Sequence, residues 1–167
     1  MEKISSGIDQ VVRNLLFLFA AIETVIIITA VVARYVFNSS FPWSEELARA
    51  ILTWMVFLGA SSALRANELV AMESVRDGWS DRKVLATRVA TDILVMIFLA
   101  FVIYASWRLI SLTSRQTYPV TGYPLWIAYS AIPISCVLMI LHLVVRIRGL
   151  IAGRVPLRQE FHVDEIA

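Results

Sequence analysis

The chain is poor in the residues that build most catalytic centres. It has one cysteine, Cys136, in an apolar stretch, and two histidines, His142 and His162, among 167 residues. A disulfide, a zinc site or a CxxC redox motif each needs a second thiol, and a haem held by two histidines needs both on facing helices. None of these can be assembled from this chain alone. The six glycines are scattered, so no phosphate-binding loop is spelled, and neither HExxH nor GxSxG occurs. Charge is also scarce. Charged residues make up 17% of the chain and the net charge is +2, far from the one-sided basic footprint of a nucleic-acid-binding protein. Enzymatic chemistry and nucleic-acid partners are therefore set aside, and the sequence calls for no cofactor within the chain.

Apolar residues are abundant, at 59%, well above the soluble average of roughly one half. A bilayer-crossing helix needs about 20 such residues. Four segments qualify, Leu15 to Phe37, Leu47 to Leu64, Val89 to Trp107 and Leu125 to Val145. The fold expected is an all-α integral membrane protein in which residues 1–167 form one four-span domain. The first segment exceeds a signal-peptide core, which runs about 7–15 residues, and it carries Glu23. It is expected to be a retained span.

Local signals mark the connections. Asn38-Ser39-Ser40 should end the first helix, and Ser44 is placed to cap the second, with Glu45 and Glu46 in its first turn where the helix dipole favours acids. Residues 68–79 carry apolar residues at helical spacing, suggesting a short helix in the membrane interface. Ser80-Asp81 should cap the third span. Pro124 should open the fourth and Pro133 bend it, and Gly153 with Pro156 should end it. Basic residues set the orientation. Lys3, Arg13, Arg65, Arg76, Arg82, Lys83, Arg88, Arg146, Arg148, Arg154 and Arg158 fall on one side, and only Arg34, Arg49, Arg108 and Arg115 on the other. Both termini are expected in the cytoplasm.

Ionisable residues inside spans are candidates for function. Glu23 lies ten residues past Arg13, about 15 Å into the membrane at about 1.5 Å per residue. It could serve as a proton or cation site in an autonomous transporter, or as a buried contact to a neighbouring helix. Arg34, eleven residues on, returns to nearly the same helix face, so the two should mark one polar stripe. Asp92 can pair with Arg88 one turn away. Gly59, Ser61, Ser62 and Ala63 form a small-residue patch suited to close helix packing. Glu45 and Glu46 can pair with Arg49 along the helix, and with Trp43 as an interfacial anchor they could also dock a partner.

The run Pro42-Trp43-Ser44-Glu45-Glu46-Leu47-Ala48-Arg49 resembles the small membrane subunit of tripartite ATP-independent periplasmic (TRAP) transporters, the DctQ-like family. So do Arg34-Tyr35-Val36-Phe37, Phe57-Leu58-Gly59-Ala60, the Ala63-Leu64-Arg65 exit, Tyr123-Pro124-Leu125-Trp126-Ile127 and Ala131-Ile132-Pro133. The resemblance covers nearly the whole chain. One departure lies at residues 66–73, where the family's Gly- or His-containing segment is replaced and Glu73 stands in the acidic position. The resemblance implies a non-catalytic scaffold subunit in a bacterial inner membrane. Its partners would be a large membrane subunit that carries the substrate and Na+ sites, a periplasmic binding protein that delivers an organic acid such as a sialic acid or C4-dicarboxylate, and lipid. Trp43, Glu45, Glu46, Arg49, Glu23 and Arg34 are then candidate subunit-interface or docking residues. Two other readings stand beside it, a homodimeric proton-coupled small multidrug transporter using Glu23, and a membrane-anchor subunit for a redox or signalling enzyme.

Overall fold

The computed structural model describes residues 2–66 and 80–152. They form five helices: α1 (Glu2–Val36), α2 (Pro42–Ala66), α3 (Asp81–Thr113), α4 (Trp126–Tyr129) and α5 (Ala131–Ile151). Four stretches are long and apolar enough to cross a bilayer, Asp9–Val36, Pro42–Arg65, Asp81–Thr113 and Trp126–Ile151. The shortest has 24 residues, about 36 Å at 1.5 Å per residue and more than the roughly 30 Å of hydrocarbon. Over the described residues the chain is thus an all-helical, four-span membrane protein, and α2 and α3 run past both ends of the apolar segments that announce them. The interfacial helix expected at 68–79 and the stop signals Gly153 and Pro156 lie outside the described residues.

Helix ends follow local chemistry. Asn38 adopts the left-handed conformation at φ 51°, and the Ser39 amide donates to the Ala33 carbonyl at 3.0 Å, closing α1 as a glycine would. Proline at the first position opens α2, because its fixed φ suits a helix and its missing N–H is not needed there. Ser44 is therefore already inside the helix. Its hydroxyl donates back to the Phe41 carbonyl at 2.6 Å, in place of the capping role expected of it. Ser80 does occupy the N-cap of α3, in extended conformation at φ −68° and ψ 148°, though without a side-chain capping bond. The fourth span starts at Trp126 and not at Pro124, which is drawn into a bridge with Thr117. Pro133 has no N–H for the Tyr129 carbonyl four residues back. The helix accordingly breaks at Ser130, near the start of the span.

The helices do not pack in chain order. α2 and α5 form a central pair, α1 lies against α2, and α3 lies against α5. From Asp9 onward, every residue of α1 that is not fully exposed falls on the series 9, 12, 16, 19–20, 23, 26, 30 and 33. That 3-4 spacing is the seam of two helices crossing at a shallow angle. α3 buries only Val84, Asp92, Leu99, Ser106 and Thr113, essentially one residue in seven. Leu64, Leu99, Cys136 and Leu143 form the core where α2, α3 and α5 meet, flanked by Met96, Val102 and Met139. Most of the remaining apolar surface stays open, including Phe17, Val25, Phe98, Phe101 and Trp107, as a bilayer or a second membrane protein requires.

Candidate functional site

Polar side chains gather at the two ends of the bundle. At the end formed by the start of α1 and the close of α2, Asp9 is 2% exposed. Its carboxylate accepts from Ser62 Oγ at 2.7 Å, pairs with Arg65 of α2 and lies 3.3 Å from Arg13 one turn along α1. His142, on α5, lies within the electrostatic reach of both Asp9 and Arg65. At the same end Asp92, 3% exposed, receives Arg146 of α5 through two nitrogens, Nε at 3.0 Å and one terminal nitrogen. Charges taken out of water need such partners. Arg13 is on the same helix as Asp9, but Arg65 and Arg146 come from other helices, so these two ion pairs tie α1 to α2 and α3 to α5.

At the opposite end Arg34 pairs with Glu45 across the α1–α2 turn at 2.7 Å, with both side chains more than half exposed. Glu46 points the other way. Its carboxylate accepts from the amides of Val120 at 3.0 Å and Thr121 at 2.9 Å and from the Thr121 hydroxyl at 2.8 Å. These donors sit at the tip of a hairpin over residues 116–125. Tyr118 N donates to Tyr123 O at 2.8 Å, Gly122 N to Tyr118 O at 3.0 Å and Leu125 N to Gln116 O at 3.0 Å. Gly122 supplies the left-handed turn at φ 70°. Behind it the Trp54 indole donates to the Ile127 carbonyl at 3.2 Å. A cavity of about 230 Å³ lies between hairpin and helices, lined by Leu47, Ala50, Tyr118, Tyr123, Pro124 and Ile127 among others. Burial there pushes the Tyr118 phenol above its usual value, Tyr129 and Glu46 push the same way, and Arg49 opposes them.

The expected stripe of Glu23 and Arg34 is not formed. Glu23 is half-buried on the α1–α2 seam, in register with Asp9, and among the described residues it makes no salt bridge. Ala33, buried at 5% exposure, continues that seam in place of Arg34. Helices that pack follow a 3.5-residue repeat, so a 3.6-residue extrapolation over eleven residues drifts off the contact. The salt bridges expected between Arg49 and the acids before it are absent too, because Glu45 turns to Arg34 and Glu46 to the hairpin. Asp92 reaches across to Arg146 in addition to whatever Arg88 contributes. The small-residue patch is divided. Ser61 is fully buried, Ser62 holds Asp9, Ala63 is half-buried, and a Cβ added at Gly59 would meet nothing within 4 Å. Trp43 is 41% exposed and stacks at a tilt on Phe41, ring centres 6.0 Å apart.

Sequence reasoning missed Asp9, Arg146 and the hairpin. Asp9 had one local sign, an acid four residues before Arg13 at the head of a 3-4 apolar series. Among the described residues no group of three or more His, Cys, Asp or Glu could hold a metal ion.

The family model described as the DctQ component of tripartite ATP-independent periplasmic transporters matches residues 23–153. Two Haemophilus influenzae proteins named as TRAP transporter small permease proteins are each 26% identical to the chain. One aligns over 147 residues, 88% of this chain and 91% of the relative, and the other over 135 residues, 81% and 82%. An Oleidesulfovibrio alaskensis protein, named isethionate TRAP transporter permease protein DctMQ, is 28% identical over 109 residues, 64% of this chain and 17% of that longer relative.

Proposed function

The chain belongs to the DctQ-component family of TRAP transporters, a small permease subunit of the inner membrane whose partners are the large M component and a periplasmic binding protein, and from that premise we propose a division of labour. The chain is the static support of a sodium-coupled importer. The large subunit holds the Na+ and substrate sites and moves the substrate, and the binding protein delivers it. The substrate is an organic acid such as a sialic acid or a C4-dicarboxylate, and the relative named for isethionate adds sulfonates to that class. Both termini lie in the cytoplasm, which puts the Asp9 end inside and the hairpin end in the periplasm.

One observation carries the scaffold reading. Four of the acids in the described helices, Asp9, Asp92, Glu45 and Glu46, are committed to joining one part of this chain to another. A coupling site needs acids that converge on a ligand, whereas these brace neighbouring helices at both ends. Glu23, on the α1–α2 seam, fits a packing role in the same scheme. Trp43, Arg34, Arg49 and the half-buried Gly59, where an added Cβ would meet nothing within 4 Å, remain candidate contacts to the large subunit.

The test is uptake into proteoliposomes. With the large subunit, the binding protein and an inward Na+ gradient, uptake of the organic acid should require this chain, and the chain should co-purify with the large subunit. Solute movement by this chain alone would refute the scaffold role. Orientation is tested separately: a cytoplasm-active reporter should work after Ala167 and within residues 76–83 and fail near Ser39.

A further inference from the structure

The acids expected to face a partner at the hairpin end are committed within the chain, and this leaves that end cationic. Glu45 is paired with Arg34, and Glu46 is closed over by three hydrogen bonds from the hairpin tip. Arg108, in the last two turns of α3, and Arg115, just past its end, are exposed and make no salt bridge among the described residues. The hairpin grows directly out of this segment. It is cross-bridged along its length and clamped at its tip, yet it holds Val120 54% and Tyr123 62% exposed. An ordered apolar knuckle that follows two exposed arginines in the chain meets a partner with little further ordering cost. Its charge draws an acidic surface from a distance.

We propose that hairpin 116–125, with Arg108 and Arg115, is the docking surface for an acidic face of the soluble periplasmic binding protein. This rests on the orientation given above, since the surface stands in the periplasm only if both termini are cytoplasmic. The contact differs from the one the sequence suggests. The Trp43–Arg49 segment acts from behind, with Glu46 fixing the tip of the hairpin, and the partner meets arginine and not glutamate. The positive charge calls for an acidic face on that partner.

The experiment uses the reconstituted complex with binding-protein concentration varied. Arg108→Glu with Arg115→Glu should raise the concentration giving half-maximal uptake about tenfold at low salt. Maximal rate and recovery of the large subunit should stay within about twofold, because neither side chain braces the fold. Arg108→Lys with Arg115→Lys should behave as wild type. Added salt should raise the half-saturating concentration for the wild type and much less for the Glu variant. Val120→Asp should independently weaken docking without loss of assembly. An unchanged half-saturating concentration in the charge-reversed complex overturns the proposal, as does a defect that responds to anionic lipid content and not to binding-protein concentration. Val120→Cys, probed with a membrane-impermeant thiol reagent in intact spheroplasts, separates the two readings. No labelling overturns the orientation and the docking surface together, whereas a labelled cysteine with unchanged half-saturation overturns docking alone.

Discussion

Replacing Asp9 with asparagine removes a charge that the fold has enclosed. The substituted amide can still accept from Ser62, but Arg65 and Arg13 lose their common counter-charge. Breaking a buried pair from one side costs about 3–5 kcal/mol. Arg65 retains 29% of its side-chain exposure and stands in the last turn of α2, where a long side chain can swing toward headgroups. A cost at or just below the bottom of that range, about 2–3 kcal/mol, is therefore expected. For a chain of this size about 1 kcal/mol shifts the melting temperature by roughly 2–4 °C, which gives a fall of about 4–12 °C for the solubilised protein. The internal control is Arg34→Ala. It breaks a pair whose members are 53% and 64% exposed, worth about 0–1 kcal/mol. A double-mutant cycle with Arg65→Gln should show coupling of at least about 1 kcal/mol, because removing both charges is less costly than stranding one. If Asp9→Asn melts no lower than Arg34→Ala, the Asp9–Arg65 pair does not brace α1 on α2.

Other outcomes follow from the same contacts. Asp92→Asn should destabilise the protein about as much as Asp9→Asn and detach α3 selectively, seen as faster proteolysis near the start of α3 while α1 and α2 stay protected. Glu46→Gln keeps one carbonyl oxygen where two carboxylate oxygens had accepted three bonds. Amide exchange at Val120 and Thr121 should quicken by roughly tenfold or more, with the helices unchanged. Glu23→Gln should leave uptake by the assembled complex within about threefold of wild type, as a packing residue requires. A fully assembled complex that no longer transports would make Glu23 a coupling group.

The four spans are legible in the sequence because a membrane helix is marked by length and apolarity alone, and Leu15 to Phe37 meets both criteria. The arrangement of the helices is not. Apolar residues surround α3 on nearly every side, so no stripe reveals that Val84, Asp92, Leu99, Ser106 and Thr113 are the buried line. The end contacts were hidden for another reason. Ser62 and Arg65 are 53 and 56 residues from Asp9, and Thr121 is 75 from Glu46, beyond any local rule. Local reasoning offered Arg49 to Glu46 and Arg88 to Asp92 because those were the charges within a turn. Competition from better-placed donors decided against it at Glu46. Where the determinant was local, as with Asn38 and Ser80, sequence and structure meet within a residue or two.

The interleaved order of the helices has a consequence for how the protein is made. α3 leaves the ribosome before α5, yet α5 is the helix it packs against. Asp92 and Arg146 are 54 residues apart. At roughly 5–20 residues per second, synthesis of that interval takes roughly 3–11 seconds. During that time the third span holds a carboxyl group whose interhelical partner does not yet exist. The nascent chain must shelter it until the fourth span wedges between helices already inserted. Biogenesis of this subunit therefore has its most exposed moment late, and a stall between residues 113 and 146 would strand α3 while the α1–α2 pair was already complete.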